Sequence, residues 1–303
     1  QTLQTLEVIS QAHCRLGTYT FLPTLITDTQ ARSQAAIDSV AMAIEKGVPG
    51  IAGIHLEGPH LSIARKGAHE PSLIRSMSDT DLNMIADATQ RLPNVMLTVA
   101  PESVTIPQTQ TLAQAGVIVS LGHTNADYDT CMAYMAAGAR NTTHLFNAMS
   151  QLGSRNPGLV GATLDSGDVS ASLIADAVHV HPASMRAALQ AKKGSGKIYL
   201  VSDAMAAAGS DLSQFILNGR TVFRRTGTLR LLDGTLAGAD IDMPRSIGTL
   251  VRQVGIDAAQ AISMATSIPA NMLTLKGGYG LRKAASKENL LYMDREFNLK
   301  DLG

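Results

Sequence analysis

The chain is poor in cysteine. Cys14 and Cys131 are its only two in 303 residues, and no Cys-x-x-Cys occurs. That excludes a thiolate zinc site and a disulfide framework, and it suits a reducing, cytoplasmic compartment. An excess of either charge is missing too: Lys and Arg number 25, Asp and Glu 25, and the formal net charge is zero. A nucleic acid or an acidic membrane surface would favour a basic protein, so neither is an expected partner. A small anion stays open, because one arginine and a few backbone amides suffice to bind a phosphate. The chain holds no run of about 20 apolar residues that could span a bilayer. It also lacks a Gly-x-Gly-x-x-Gly opening a helix, internal repeats and low-complexity tracts. It starts at Gln1, without Met, directly in a helix-like run. A preceding segment is therefore expected, with or without a removed leader.

Apolar residues, in contrast, are plentiful. They make up 45% of the chain against 17% charged, enough to bury a large core. Short β-branched runs at 18–26, 50–56, 95–100, 117–121, 141–144, 171–175 and 197–202 read as strands. Amphipathic stretches at 28–46, 79–90, 108–114, 127–137 and 182–190 read as the helices between them. Strand–helix alternation on this scale predicts a parallel sheet with helical crossovers. Seven such units are visible, one fewer than a (β/α)8 barrel, and a strand before Gln1 would supply the eighth. Beyond Asp203 the pattern changes. Ile216–Arg225 and Thr228–Asp233 read as an inserted hairpin, and 244–254 and 257–266 as helices. The tail from Lys276 returns to short strands, clearest at Asn289–Met293, and fits part of a small β-domain. Residues 1–275 are thus expected to form the barrel and 276–303 part of the second domain.

Polar residues cluster at or just past the predicted strand ends: Glu57, His123, His144, His179 and Asp203. In a (β/α)8 barrel those ends share one face, so residues distant in sequence converge there. Glu57, in His-Leu-Glu-Gly-Pro-His, suits a buried ion pair or a cap, or a divalent metal ligand. His123 and His144 could each be a satisfied core histidine. Together with Glu57 they make a set that could hold a catalytic metal with an open position. Asp203, in Val-Ser-Asp-Ala, suits an N-cap or a general base. His179 and His181 flank one valine and could form a second metal clamp. The proline after His181 starts a helix that would aim it away, leaving His179 to bind substrate. His69, in a loop beyond Glu57, is either a surface histidine or a stabiliser of a developing oxyanion. Arg155, in a turn-rich loop after His144, is either solvated or an anion grip.

These residues lie in longer motifs. His-Leu-Glu-Gly-Pro-His, Lys-Gly-Ala-His-Glu-Pro, Gly-His-Thr-Asn-Ala and Thr-His-Leu-Phe-Asn-Ala-Met occur in that order. Gly-Leu-Val-Gly-Ala, Ile-Ala-Asp-Ala-Val-His-Val, Val-Ser-Asp-Ala-Met and Thr-Leu-Ala-Gly-Ala follow. Over nearly the whole chain this series resembles the N-acetylglucosamine-6-phosphate deacetylases of the amidohydrolase superfamily. The resemblance implies a metal-bearing (β/α)8 TIM-like barrel with a small β-sandwich made from both chain ends. It implies Glu57, His123 and His144 as ligands of one divalent cation per subunit, Zn first, with Fe, Mn or Co as options. Asp203 would be the acid/base, and His69 with Ala68 would face the acetyl group. Asn147 and Ala148 would bind substrate, and Arg155 would grip its phosphate, in relatives often across a homodimer interface. Asp176, His179, Leu236, Ala237 and Gly238 would complete the sugar pocket. The partner implied is a phosphorylated N-acetyl amino sugar, gluco or galacto. A noncatalytic sugar-phosphate binder is a reading from another class. The family's first barrel strand would precede Gln1, and Lys283–Leu290 replaces the family's usual turn.

Overall fold

A computed structural model describes residues 2–275 and 290–300. By compactness the chain divides into two units. The first comprises Gln1–Ser10, Thr20–Ser172 and Ala191–Lys197; the second comprises Gln11–Tyr19, Leu173–Gln190 and Ile198–Gly303.

Helix α1 (Leu3–Arg15) opens the described chain. The main sheet then takes its strands in chain order: β1 (Thr24–Ile26), β2 (Ile54–Glu57), β3 (Val95–Val99), β4 (Ile118–Leu121), β5 (Asn141–Thr142), β6 (Ser170–Leu173) and β7 (Ile198–Leu200). Neighbours from β1 to β6 pair parallel; Ile26 lies opposite Glu57, and Leu121 opposite Thr142. Parallel pairing of consecutive strands needs crossovers, and helices supply them. They are α2 (Gln30–Glu45), α3 (Asp79–Ala88), α4 (Ile106–Gln114), α5 (Tyr128–Ala136), α6 (Gly158–Asp165) and α7 (Pro182–Ala191). Every residue of β3 and β4 is buried, as a sheet covered on both faces requires.

Short polar residues set where these helices begin. Thr29 caps α2, and Asp127 caps α5 by accepting from Thr130. Reciprocal capping boxes join Ser78 to Asp81 on α3 and Thr105 to Gln108 on α4. Each cap satisfies orphan N–H groups and is worth about 1 kcal/mol. Helix α6 escapes the periodicity argument because Gly158 through Leu164 are all buried, so it has no polar face to mark it.

The second unit carries an antiparallel sheet of β8 (Gln214–Leu217), β9 (Arg220–Arg225), β10 (Thr228–Leu231) and β11 (Leu236–Ala239), in the order β11-β10-β9-β8. The expected single strand over 216–225 is therefore two strands, and the expected hairpin is a four-stranded sheet. Asn218 and Gly219 break it, at φ 46° and 75°. Both being left-handed defines the two-residue hairpin turn that Asn-Gly favours. Helices α8 (Met243–Thr249), α9 (Ala258–Ala265) and α10 (Ser267–Ala270) follow, with one π-helical turn over Leu250–Val254. The strand expected at 289–293 is observed as β12 (Tyr292–Met293), paired antiparallel with β13 (Leu299–Lys300). Residues 276–289, which include most of the unusual Lys283–Leu290 turn, lie outside the described part.

Candidate metal centre and active site

The strand ends of the first unit gather three donor atoms at one point. Glu57 is the last residue of β2, His123 follows β4 by two residues, and His144 follows β5 by two. All three are buried. Oε1 of Glu57 lies 3.2 Å from Nε2 of His123 and 3.0 Å from Nε2 of His144. The two Nε2 atoms are 3.0 Å apart. Among the described residues this is the group of three that could hold a metal ion, its ligand atoms all within 4.8 Å of one another.

The surroundings fit such an ion. Nδ1 of His123 donates to the carbonyl oxygen of Arg65 at 2.8 Å, so Nε2 keeps its lone pair and faces the centre, the usual arrangement behind a ligating histidine. The backbone of His144 is held by Ser172, whose Oγ accepts its N–H at 2.7 Å. Burial opposes the charge on Glu57, but the His123 and His144 imidazoles beside it hold the carboxyl well below its usual range. A buried carboxylate beside two imidazole nitrogens is a donor set that suits a divalent cation.

Supporting residues to which the sequence assigned no role surround this centre. Glu102 accepts from the Thr124 hydroxyl at 2.6 Å and from the Asn125 N–H at 2.8 Å. The Arg65 guanidinium donates twice to Oδ1 of Asn125, at 3.0 and 2.8 Å. Beneath the ligands a buried hydroxyl chain runs from Nε2 of His55 through Thr98 and Thr143 to Ser120, with contacts of 2.8, 2.7 and 2.6 Å. Burial pushes His55 down to about 4, so it stays neutral in that chain. The partners are tens of residues apart, and only the period-two alternation along each strand hinted that His55 shares a face with Glu57.

Of the other expected site residues, His69 is 4% exposed, with Nε2 3.8 Å from Oε2 of Glu57. Asn147 donates weakly to the carbonyls of His144 and Leu145, and Ala148 has φ 48°. Arg155 stands in the exposed stretch 151–156. In the second unit, Asp176 and His179 form a pair at 2.7 Å between Oδ2 and Nδ1. Burial raises the Asp176 carboxyl, yet the His179 hydrogen bonds hold it below its usual value. His181 spends Nδ1 on the Ala183 N–H at the start of α7, which leaves that nitrogen unavailable as a metal ligand. Asp203 is half-buried just past β7, and its carbonyl accepts from Ala239 N–H at 2.9 Å. That bond ties it to the end of β11, where Leu236, Ala237 and Gly238 lie.

A local signature unites several of these positions. His123, His144, Ala148 and Asp203 all adopt positive φ, at 48°, 31°, 48° and 46°. Left-handed backbone at non-glycine residues costs energy and concentrates where function demands a geometry.

A buried Glu-His-His cluster that could hold a metal, at the strand ends of a parallel barrel-like sheet, points to a class of protein, and comparison identifies it. The amidohydrolase family pattern matches residues 4–281; the chain belongs to that family. The N-acetylgalactosamine-6-phosphate deacetylase of Shewanella sp. (strain ANA-3) is 44% identical over 272 residues, 90% of this chain and 68% of that protein. The crystal structure of N-acetylglucosamine-6-phosphate deacetylase from Pasteurella multocida superposes with a TM-score of 0.89 at 33% identity, covering 98% of this chain and 78% of that one. A point mutant of the N-acetyl-D-glucosamine-6-phosphate deacetylase from Mycobacterium smegmatis, solved with N-acetyl-D-glucosamine-6-phosphate, gives 0.85 at 31% identity over 97% and 76%.

Proposed function

We propose that the protein removes the acetyl group from N-acetyl-D-glucosamine 6-phosphate, releasing acetate and D-glucosamine 6-phosphate. The observation that carries this is the buried convergence of Glu57, His123 and His144, in a chain whose relatives bear that name. Zn²⁺ is the first choice for these ligands, one ion per subunit, with Fe²⁺, Mn²⁺ and Co²⁺ compatible with one oxygen and two imidazole donors. When bound, such an ion lowers the pKa of water and polarises a carbonyl.

The chain's own groups do the rest. Asp203 takes the proton of the attacking water and passes it to the acetamide nitrogen as the C–N bond breaks. An amine leaves poorly without that proton. His69 donates to the carbonyl oxygen as negative charge develops there, with Ala68 beside the acetyl group. Arg155, Asn147 and Ala148 hold the phosphate end. Asp176, His179 and Leu236 through Gly238 hold the sugar. A homodimer would bring Arg155 to a neighbouring subunit's substrate, a neutral cysteine-poor chain suits the cytoplasm, and 276–303 would be the C-terminal part of a small β-sandwich.

The galacto epimer is a second reading, favoured by the 44% identity to the Shewanella enzyme. Acetate release from both sugar phosphates, measured in parallel as kcat/KM, decides between them. A galacto preference of tenfold or more, roughly 1.4 kcal/mol, would replace the first reading by the second. Chelation should abolish activity with either sugar, and added Zn²⁺ should restore it. Full activity in chelated, metal-free protein would end the metal-hydrolase reading, and binding without any acetate release would mark a noncatalytic binder.

A further inference from the structure

Two buried histidines sit side by side in the first unit, and their backbones treat the rings in opposite ways. His69 and His123 pack edge to face with centroids 4.5 Å apart. A carbonyl oxygen only accepts, so Arg65 O at 2.8 Å puts the hydrogen of His123 on Nδ1. Nδ1 of His69 faces a donor instead, the backbone N–H of Thr27 at 3.4 Å. The Thr27 hydroxyl is 2.7 Å from the same nitrogen. Its contact with the carbonyl oxygen of Glu57 is 3.5 Å long, beyond the range of a good O–H···O hydrogen bond, so its single proton serves the nearer His69. Both donors leave Nδ1 of His69 bare and put its hydrogen on Nε2.

We propose that Thr27 is a positioning residue that keeps His69 in its Nε2–H form, a donor to the substrate carbonyl rather than a fourth metal ligand. The inference rests on the hydrolase reading above. Thr27 is fully buried, one residue beyond β1, and Nε2 of His69 points toward Oε2 of Glu57. The other ring form would aim a bare Nε2 at the same centre. A fourth protein ligand would then close the position that a catalytic site leaves open. The two donors of Thr27 thus separate a ligand histidine from a donor histidine, and the hydroxyl, at 2.7 Å against 3.4 Å, is the closer of them.

The test uses the zinc-loaded protein with ¹⁵N-labelled histidine and long-range ¹H–¹⁵N spectra, His69 being assigned by its loss in His69→Asn. The wild type should show His69 protonated at Nε2. Thr27→Val, which removes the hydroxyl but keeps the shape, should shift His69 toward the Nδ1–H form. It should lower kcat by about tenfold or more, as expected for a weakened oxyanion donor, with little change in KM. Zinc retention against a chelator should stay level or rise, whereas mere loosening of the site would lower it. Thr27→Ser should restore kcat and the spectrum. A wild-type Nδ1–H signal overturns the proposal, even where Thr27→Val does not fold. So does Thr27→Val with wild-type kcat, or with kcat and zinc retention falling together. Absence of acetate release by the wild type would strike the hydrolase reading alone, since the ring form is read without turnover.

Discussion

Asp203 holds a φ of 46° three residues past the end of β7, where an ordinary cap would adopt extended backbone, as Thr29 does at φ −69°. That difference favours the acid/base reading over the N-cap reading, which position in the sequence alone left even. Asp203→Asn keeps the shape and removes the proton acceptor. It should cut kcat by about 10²–10⁴, the usual worth of a positioned acid or base, with metal content unchanged by elemental analysis. Turnover within threefold of the wild type would take Asp203 out of the chemistry. Residue types were what the sequence displayed well: Glu57, His123 and His144 stood out because a carboxylate and two imidazoles at strand ends are rarely idle. The part Arg65 plays beside His123 was illegible, because it runs through a backbone carbonyl, which every residue possesses.

The turn between β4 and His123 shows the same limit one level up. Gly122 sits where an added Cβ would lie 2.9 Å from Cβ of Thr143 and 3.0 Å from Cγ2 of Thr98. Neither threonine can retreat freely, since their hydroxyls are bonded to each other at 2.7 Å. Gly122→Ala should therefore push on the segments carrying both His123 and His144. We expect a loss of about 1–3 kcal/mol in unfolding free energy, the range for overpacking a filled core, together with weaker zinc binding in competition titrations. Gly167→Ala, with nothing within 4 Å of its added Cβ, should stay within about 0.5 kcal/mol. Equal effects in the two variants would show that the turn is not tightly packed. Elements with a strong period were read correctly: the expected helix over 79–90 is observed at Asp79–Ala88, because its polar face and its capping box agree. The hairpin at 216–225 was misread because alternation continues across Asn218-Gly219, and the turn signal was passed over. Helix α6 was missed for the opposite reason, being apolar all round.

At the scale of the whole molecule, seven alternating units were enough to give the fold class, since parallel strands in chain order leave few topologies. Acid stability is another whole-molecule property, and one that composition could not reveal. His60 is fully buried, and Nδ1 donates to the carbonyl of Arg75 at 3.1 Å. Burial lowers its pKa to about 4, outweighing the opposite pulls of that hydrogen bond and of Asp81. The unfolded chain, with an ordinary value near 6.5, binds a proton at His60 that the folded chain refuses. Stability from this group is therefore complete above about pH 6.5, is lost as pH falls toward 4, and changes no further below that. Asp81 follows in a lower window. Burial raises its carboxyl, but Arg75 and Ser78 bring it down to about 2. Its contribution is present above the ordinary value near 3.9 and fades as pH falls toward 2. His60→Gln keeps an N–H donor for Arg75 and removes the titration. Between pH 4.5 and 6, urea unfolding of this variant should show a slope against pH shallower than the wild type by up to about 1.4 kcal/mol per unit, the value for one proton. Taking the difference cancels His55, Glu57 and the other groups common to both proteins, so parallel slopes would mean that His60 is protonated alike in the folded and unfolded chain.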